Sequence, residues 1–307
     1  MFVAVGLFAI AQAAPGAETK SAKSHSASSA KESHHGVIAQ DPYLGAIVVD
    51  ALTGKVLFED HADAKGYPAS TLKLMDLLII LEKLQQKQLS LSDPVPVSAK
   101  AAKTGGSQVY LAEKESFTIE EMLYALMVQS ANDAAVALAE KVAGSTEAFV
   151  ELMNKRAQEL GMTSTTFHSV HGLPPGRGQE HDVTTARDFA LLCRELIAKH
   201  PEALRFTSTR ERTFRPETKP LVMNNHNHLL GHVEGVDGLK TGYIAAAGYS
   251  IAVTAARNNH RVIVMVLDSV DRHVRDRYAT ELVAKGFSAL GSTQRSVGAA
   301  SHASKPS

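Results

Sequence analysis

Short apolar runs stand near both ends of this chain. Residues 44–50 are almost continuously apolar, and a Thr-Gly turn separates them from a second run at 55–58. Residues 249–255 and 261–267 repeat the arrangement around an Asn-Asn connection. Runs of this length, bounded by turn residues, are typical of strands, so each pair predicts an antiparallel hairpin.

The middle of the chain has helical spacing instead. From Ser70 to about Gln88 almost every position on all sides is apolar, which predicts a helix buried in a domain. Thr118 and Glu121 form a capping box that predicts the start of another helix. Further helices are predicted at 132–142, 145–160, 185–198 and 273–290, and further strands at 212–215 and 221–223.

Strands at both ends around a helical middle favour an α+β fold over an alternating parallel one. We therefore expect one antiparallel sheet formed by both ends of the chain, with an inserted helical lobe. The folded domain is predicted to span residues 41–290.

The two ends of the chain have a different composition. Residues 1–13 are apolar and uncharged, too short to span a bilayer, and end in Ala11-Gln12-Ala13, the small-x-small form of a signal-peptidase site. They predict an exported protein, periplasmic or extracellular, which stays tethered to the membrane if this segment is not cleaved. Residues 14–40 and 291–307 are low in large apolar residues and are expected to be a disordered linker and tail.

Composition excludes several classes of protein. The chain has 307 residues, 44% hydrophobic and 21% charged, and its 32 basic residues equal its 32 acidic ones. No net field therefore favours nucleic acid or an acidic membrane surface as a partner. Cys193 is the only cysteine, so no intrachain disulfide can form, and its helical setting predicts a core residue.

Candidate chemistry begins with Ser70-Thr71-Leu72-Lys73, just after Pro68. A serine and a lysine three residues apart on a helix project on the same side, so the amine can reach the hydroxyl. A lysine stripped of water loses proton affinity and can act as a base. The alternative is a helix cap followed by a solvent-exposed lysine, and the same spacing occurs by chance at 28–31.

Two further segments make the catalytic interpretation stronger. Ser130 and Asn132 lie in a predicted loop between two helices, where a hydroxyl and a carboxamide could face a cleft. Lys240-Thr241-Gly242 is expected to precede a strand, and Gly242 allows a substrate to approach the backbone closely. A second Lys-Thr-Gly, at 103–105, is expected to lie in a loop without a following strand.

Ser-x-x-Lys, Ser-x-Asn and Lys-Thr-Gly in this order form the signature of penicillin-binding proteins and serine β-lactamases. With further similar stretches such as 160–162, 171–173 and 247–249, the chain resembles D-alanyl-D-alanine carboxypeptidases of the low-molecular-mass penicillin-binding type. The resemblance covers about residues 41–290 and implies a β-lactamase/transpeptidase-like fold.

The resemblance also implies roles for the motif residues. Ser70 would attack the carbonyl between two D-alanines, Lys73 would take its proton, and Ser130 would relay the proton to the leaving amine. Asn132 would bind the substrate's amide backbone and steady Lys73, while Lys240 and Thr241 would face its terminal carboxylate. The backbone N–H groups of Ser70 and Tyr243 would form the oxyanion hole.

The implied activity is a serine-type carboxypeptidase that acts on peptidoglycan stem peptides through an acyl-enzyme, without a cofactor, and is inhibited covalently by β-lactams. A D,D-endopeptidase that cleaves peptidoglycan cross-links is the alternative. A β-lactamase is a weaker alternative, since the chain has no Glu-x-x-Leu-Asn pentapeptide. A non-catalytic wall-binding protein would be expected to lose one of the motif residues, and all are present.

A metal-dependent peptidase is a rival mechanism because the chain has 14 histidines. His226 and His228 would share one side of a strand, with His232 nearby. No His-Glu-x-x-His or comparable helical pair accompanies them, so no metal site is predicted.

Two features depart from the family pattern. Asp76 stands one turn beyond Lys73, where these proteins usually carry an uncharged residue. It could pair with Lys73 and keep the amine charged, or face a polar boundary of the lobe. Residues 292–307 have no apolar face, so the sequence predicts no C-terminal membrane anchor.

Overall fold

The computed structural model describes residues 38–302, and side chains only as far as residue 291. The predicted signal segment at 1–13 and nearly all of the predicted linker lie outside these residues. The strands are β1 Gly45–Asp50, β2 Val56–Asp60, β3 Pro94–Pro96, β4 Ser116–Thr118, β5 Glu211–Phe214, β6 Leu221–Asn224, β7 Val236–Ile244, β8 Gly248–Arg257 and β9 His260–Ser269. The helices are α1 Lys73–Gln85, α2 Ala99–Ala102, α3 Ile119–Val128, α4 Asn132–Ala143, α5 Thr146–Glu159, α6 Ala186–Lys199, α7 Ala203–Thr207 and α8 Arg272–His302, and a 3₁₀ helix at Ala69–Leu72 leads into α1.

One five-stranded antiparallel sheet joins the two ends of the described chain, in the order β2-β1-β9-β8-β7. β1 pairs with β9, which places Ile47 opposite Met265 although they are far apart in sequence. Both predicted hairpins, β1–β2 and β8–β9, are present. The predicted α+β architecture, a terminal sheet with an inserted helical lobe, is confirmed.

Two hydrophobic cores cover the two faces of this sheet. On one face α8 packs against β1, β8 and β9, with Val264, Leu282 and Val283 in the core. On the other face α6 and the helices of the lobe enclose α1, whose residues Lys73–Leu81 are all buried. The prediction that this helix has almost no exposed side is therefore confirmed.

Local signals account for several helix starts. Thr118 and Glu121 form the predicted capping box at the start of α3, in which each side chain accepts a hydrogen bond from the other residue's backbone N–H. Ser145 and Thr185 accept a backbone N–H in the same way at the starts of α5 and α6. Cys193 of α6 is fully buried, as its helical setting predicted.

Two features of the strands were not expected. Lys240-Thr241-Gly242 lies inside β7 rather than before a strand, because pairing with β8 outweighs the low strand propensity of Gly238 and Gly242. The predicted strands near 212 and 221 are β5 and β6, which form a separate two-stranded sheet.

The described chain extends on both sides of the predicted domain at 41–290, whose limits stay a prediction. Ile38 donates its backbone N–H to Ala246 O at 2.8 Å. The backbone of α8 continues past Leu290 as far as His302. No proline interrupts the segment before Pro306.

Within the described part of the chain, no helix combines the length and the apolar character needed to cross a membrane.

We expect Gly286→Ala to destabilise the protein, although alanine favours a helix over glycine by about 1 kcal/mol. A Cβ at this position of α8 would stand 2.8 Å from Val48 Cγ1 and 3.1 Å from Val262 Cγ1, both of which are fully buried. Overpacking of this kind costs roughly 1–3 kcal/mol, so a net loss in the free energy of unfolding is expected.

Gly291→Ala is the matched control on the same helix, because nothing lies within 4 Å of its Cβ position. It is expected to stabilise the protein by about 0.5–1 kcal/mol in denaturant unfolding. A Gly286→Ala variant as stable as Gly291→Ala would contradict the tight packing of α8 on the sheet.

Candidate active site

Ser70 and Lys73 meet at the junction of the 3₁₀ helix and α1. Pro68 precedes this helix with φ near −65°, the value its ring imposes. Ala69 has φ 45°, in the left-handed region that is uncommon for a residue with a side chain. The resulting turn places Lys73 Nζ 2.8 Å from Ser70 Oγ, at the reach the sequence spacing predicted.

The Lys73 amine has three oxygen partners and no exposure to solvent. Besides Ser70 Oγ, they are Asn132 Oδ1 at 2.7 Å and the backbone carbonyl oxygen of His171 at 3.0 Å. Burial lowers the pKa of Lys73 to about 7, against the opposing effect of nearby carboxyl groups. A neutral amine has two N–H donors and one lone pair, so it can donate to Asn132 and His171 while it accepts the hydrogen of Ser70 Oγ.

Ser130 and Asn132 come from the connection between α3 and α4, as predicted. Ser130 is buried with φ 59°, and the turn it makes brings Asn132 to the first position of α4. Asn132 Nδ2 donates to Gly105 O at 2.8 Å, and the Asn132 backbone N–H donates to Ser107 O. These bonds hold the carboxamide with its oxygen toward Lys73.

The sheet supplies the opposite side of the site through β7. A Cβ at Gly242 would lie 2.7 Å from Pro68 O and 3.2 Å from Ser70 N, so only a glycine lets this strand approach the turn so closely. Lys240 is buried and donates from Nζ to Thr241 O at 3.0 Å. Its pKa lies well below its ordinary value, through burial first and then the charges of Lys73 and Arg275.

A cavity of about 480 Å³ lies between these walls. Six predicted site residues line it: Ser70, Ser130, Asn132, Thr241, Gly242 and Tyr243. The other two, Lys73 and Lys240, are buried in its walls, each with its amine held by hydrogen bonds. The two amines thus act on the cavity mainly through their neighbours and their charge.

The sequence interpretation missed Arg275, which also lines the cavity. It belongs to α8, is 2% exposed, and donates to Asp276 and toward Ser250 O. A signal was present, since Arg275 is spaced from the buried Ala279 and Leu282 as a member of the core face of its helix. An arginine on a core face needs a buried partner or a site.

Histidines also contribute to the cavity. His226 and His228 line it, although they follow β6 rather than lie in a strand as predicted. Burial and the charge of Lys240 lower the pKa of His226 to about 4, so its ring is neutral near pH 7. Among the described residues, no group of three or more His, Cys, Asp and Glu is arranged to hold a metal ion.

The segment around His171 is also part of the site. Gly172 has φ 74°, and a Cβ at this position would clash with the backbone of Ala69. The carbonyl oxygen of His171 is thereby brought to Lys73 Nζ. Burial and the charge of Lys73 lower the pKa of the His171 ring to about 4.

Asp76 does not hydrogen-bond to Lys73. It is 2% exposed, and neither carboxyl oxygen has a hydrogen-bond partner. Burial raises its pKa well above the ordinary value, which the charge of Lys73 opposes. Asp76 thus neither hydrogen-bonds to Lys73 nor has another hydrogen-bond partner for its carboxyl oxygens.

Asp268, at the end of β9, holds the segment that leads to Ser70. Its carboxylate accepts the backbone N–H of Tyr67 at 2.9 Å and the Ser250 hydroxyl at 3.0 Å. Burial raises the pKa of Asp268 to about 7, against these two hydrogen bonds. The sheet and the Ser70 turn are thus joined by a side chain as well as by packing.

Comparison with known proteins agrees with this geometry. Residues 32–271 match the family described as D-alanyl-D-alanine carboxypeptidase, Peptidase_S11. The D-alanyl-D-alanine carboxypeptidase DacF of Bacillus subtilis is 37% identical over 79% of this chain, and this chain spans 61% of the length of DacF. A D-alanyl-D-alanine endopeptidase of Escherichia coli is 30% identical over 77% of this chain and 74% of its own.

The fold is similar to that of penicillin-binding protein D2 of Listeria monocytogenes, solved with ampicillin bound. The TM-score is 0.72 at 33% identity, over 80% of this chain and 97% of that one. The family match at residues 32–271 includes all five strands of the terminal sheet and the helical lobe. The chain therefore belongs to the D-alanyl-D-alanine carboxypeptidase family, Peptidase_S11.

Proposed function

We propose that this protein is a serine-type D-Ala-D-Ala carboxypeptidase that acts on peptidoglycan stem peptides and is acylated by β-lactams. The observation that carries the proposal is the 2.8 Å contact between Ser70 Oγ and the buried amine of Lys73, at the wall of an open cavity. The family and the carboxypeptidase relative support the same activity.

The reaction begins with the neutral amine of Lys73. As Ser70 Oγ attacks the carbonyl carbon of the penultimate D-alanine, Lys73 accepts the hydroxyl proton. The C–N bond then breaks, and Ser130 relays the proton taken up by Lys73 to the leaving amine of the terminal D-alanine. Water next attacks the Ser70 ester, which releases the shortened peptide and restores the hydroxyl.

The oxyanion of the tetrahedral intermediate is bound by the backbone N–H groups of Ser70 and Tyr243. Support comes from Gly242, which brings β7 against the backbone of Ser70. Preorganised N–H donors of this kind are worth about 3–4 kcal/mol in related acyl-transfer chemistry.

The free carboxylate of the substrate is read by Thr241 and Arg275, both of which line the cavity. Lys240 is buried and its amine donates to the backbone oxygen of Thr241, so Lys240 is not the nearest contact of the carboxylate. Asn132 binds the amide backbone of the acyl half of the peptide.

A D,D-endopeptidase activity on peptidoglycan cross-links is the second candidate, because the endopeptidase of Escherichia coli is similar over most of both chains. Mass analysis of products from a monomeric pentapeptide and from a cross-linked dimer separates the two. With either substrate, the proposed place of action is outside the cytoplasm.

We expect Ser70→Ala to abolish both release of D-alanine and covalent labelling by a fluorescent penicillin. The loss has a chemical reason, since no ester can form without the hydroxyl. Gel fluorescence and mass spectrometry check the labelling, with thermal unfolding as the test of fold. Labelling of the variant at another serine would contradict the assignment of the nucleophile.

Gly242→Ala is expected to slow acylation at least tenfold without unfolding the protein. The added methyl would push β7 away from Ser70 N and widen the oxyanion site, where one donor is worth about 3–4 kcal/mol. Stopped-flow penicillin acylation is the measurement.

Gly105→Ala is the control on the other side of the cleft, because nothing lies within 4 Å of its Cβ position. The hydrogen bond from Asn132 Nδ2 to the backbone oxygen of residue 105 is retained in this variant. Its acylation rate is expected to match that of the parent protein. Equal rates for the two variants would argue against the close approach of β7.

Arg275→Gln is expected to lower kcat/KM on D-Ala-D-Ala peptides by about ten- to a hundredfold, as a charge-assisted hydrogen bond is worth about 1.5–3 kcal/mol. Amidation of the substrate's terminal carboxyl should cost the parent enzyme a similar factor and the variant much less. The substitution and the amidation remove the same interaction, one from the enzyme and the other from the substrate. The two losses in kcat/KM are therefore not expected to add.

The same double cycle with Lys240→Gln measures how far the buried amine contributes. Full additivity in the Arg275 cycle would show that Arg275 does not read the carboxylate.

A further inference from the structure

Asp76 is a buried carboxyl that the proposed reaction does not use. It lies three residues after Lys73 on α1, and both of its oxygens lack hydrogen-bond partners. Buried polar groups are nearly always paired, so an unpaired carboxyl one turn from the reactive amine needs an explanation.

The surroundings separate Asp76 from the other acids near Lys73. Asp133 of α4 accepts backbone N–H groups from Val109, Leu111 and Ala134. Asp182, in the segment before α6, accepts backbone N–H groups from His168 and Ser169 and the Ser169 hydroxyl. The remaining groups that interact electrostatically with Lys73 are His171, His226 of the loop after β6, and Lys240 of β7.

Hydrogen bonds therefore favour the charged forms of Asp133 and Asp182, whereas nothing but Lys73 favours the charged form of Asp76. Among the three carboxyls, Asp76 also has the largest effect on the amine. The charge of Asp76 and the charge of Lys73 therefore depend on each other.

We infer that Asp76 is a positioning residue that acts through the Lys73 amine and sets the lowest pH at which Ser70 can be acylated. The inference rests on the proposed function, in which only the neutral amine can accept the Ser70 proton.

The charge states of the pair give the direction of the effect. At low pH both groups carry a proton, and the amine is inactive. Loss of one proton gives either a neutral amine beside a protonated carboxyl, which is active, or an ammonium beside a carboxylate, which is not. Two groups coupled in this way titrate as a pair.

The ammonium–carboxylate form thus withholds the base and extends the inactive range to higher pH. Burial brings the pKa of Lys73 down to about 7 and that of Asp76 upward, so the two titrations approach each other. An uncharged side chain at position 76 removes the inactive pair and leaves the neutral amine available at lower pH.

The experiment is the second-order rate of acylation by a fluorescent penicillin, measured between about pH 5 and pH 9 for the parent protein and Asp76→Asn. The acidic limb of the variant should move to lower pH by about one unit, the size of shift that a nearby opposite charge produces. One unit below the parent's midpoint, the variant should therefore acylate several times faster.

Asp188→Asn is the matched control. Asp188 of α6 is a buried carboxyl that accepts hydrogen bonds from Ser164 and Thr165, and it is not among the charges that act on Lys73. Its pH profile is expected to coincide with that of the parent. Asp76→Ser provides a second uncharged variant if Asp76→Asn fails to fold, and thermal unfolding at each pH confirms that both are native.

If the uncharged variants keep the parent's acidic limb while the parent protein is acylated normally, the inference is overturned and the proposed function stands. If the parent protein is not acylated at any pH, the proposed function fails and the inference fails with it.

Discussion

The arrangement of this site depends on the removal of one lysine amine from water. Lys73 is fully buried at the start of a helix whose next eight residues are buried as well. A charged amine is costly there, so its pKa falls to about 7 and a neutral base becomes available. The buried amine also needs hydrogen-bond partners, and Ser70, Asn132 and His171 supply them.

These partners explain why the helical lobe and the sheet must meet closely. The turn at Ser70 is enclosed by Gly242 of β7 on one side and by Gly172 on the other, at distances that exclude a side chain. Asp268 joins Tyr67, three residues before Ser70, to the end of β9. The cavity thus lies between the edge strand β7 and the helical lobe, and the positions of its walls follow from these close contacts.

Charge is divided between the front and the back of the site. Thr241 and Arg275 line the cavity with Lys240 buried behind them, which suits an anionic end group of a substrate. The carboxyls of Asp76, Asp133 and Asp182 raise the pKa of Lys73 and so oppose the effect of burial. The balance of these two effects decides whether the amine can act as a base.

The sequence by itself determined the elements and the motif residues. Local patterns were sufficient because the hairpins, the capping box at Thr118 and the apolar helix after Ser70 depend on neighbours in sequence. The three motifs were recognised as a set, and five of their residues line one cavity. The strand character of β7 could not be predicted, since its local propensity is weak and pairing with β8 outweighs it.

Only the tertiary structure decided which charges face one another. Arg275 is separated from Thr241 by two strands and reaches the cavity because α8 packs across the sheet. The carbonyl oxygen of His171 reaches Lys73 because Gly172 lies against the backbone of Ala69, a contact that the sequence does not show. The sequence left two roles open for Asp76, because the hydrogen bonds and burial of a carboxyl are properties of the packed interior. Residue spacing along one helix does not contain them.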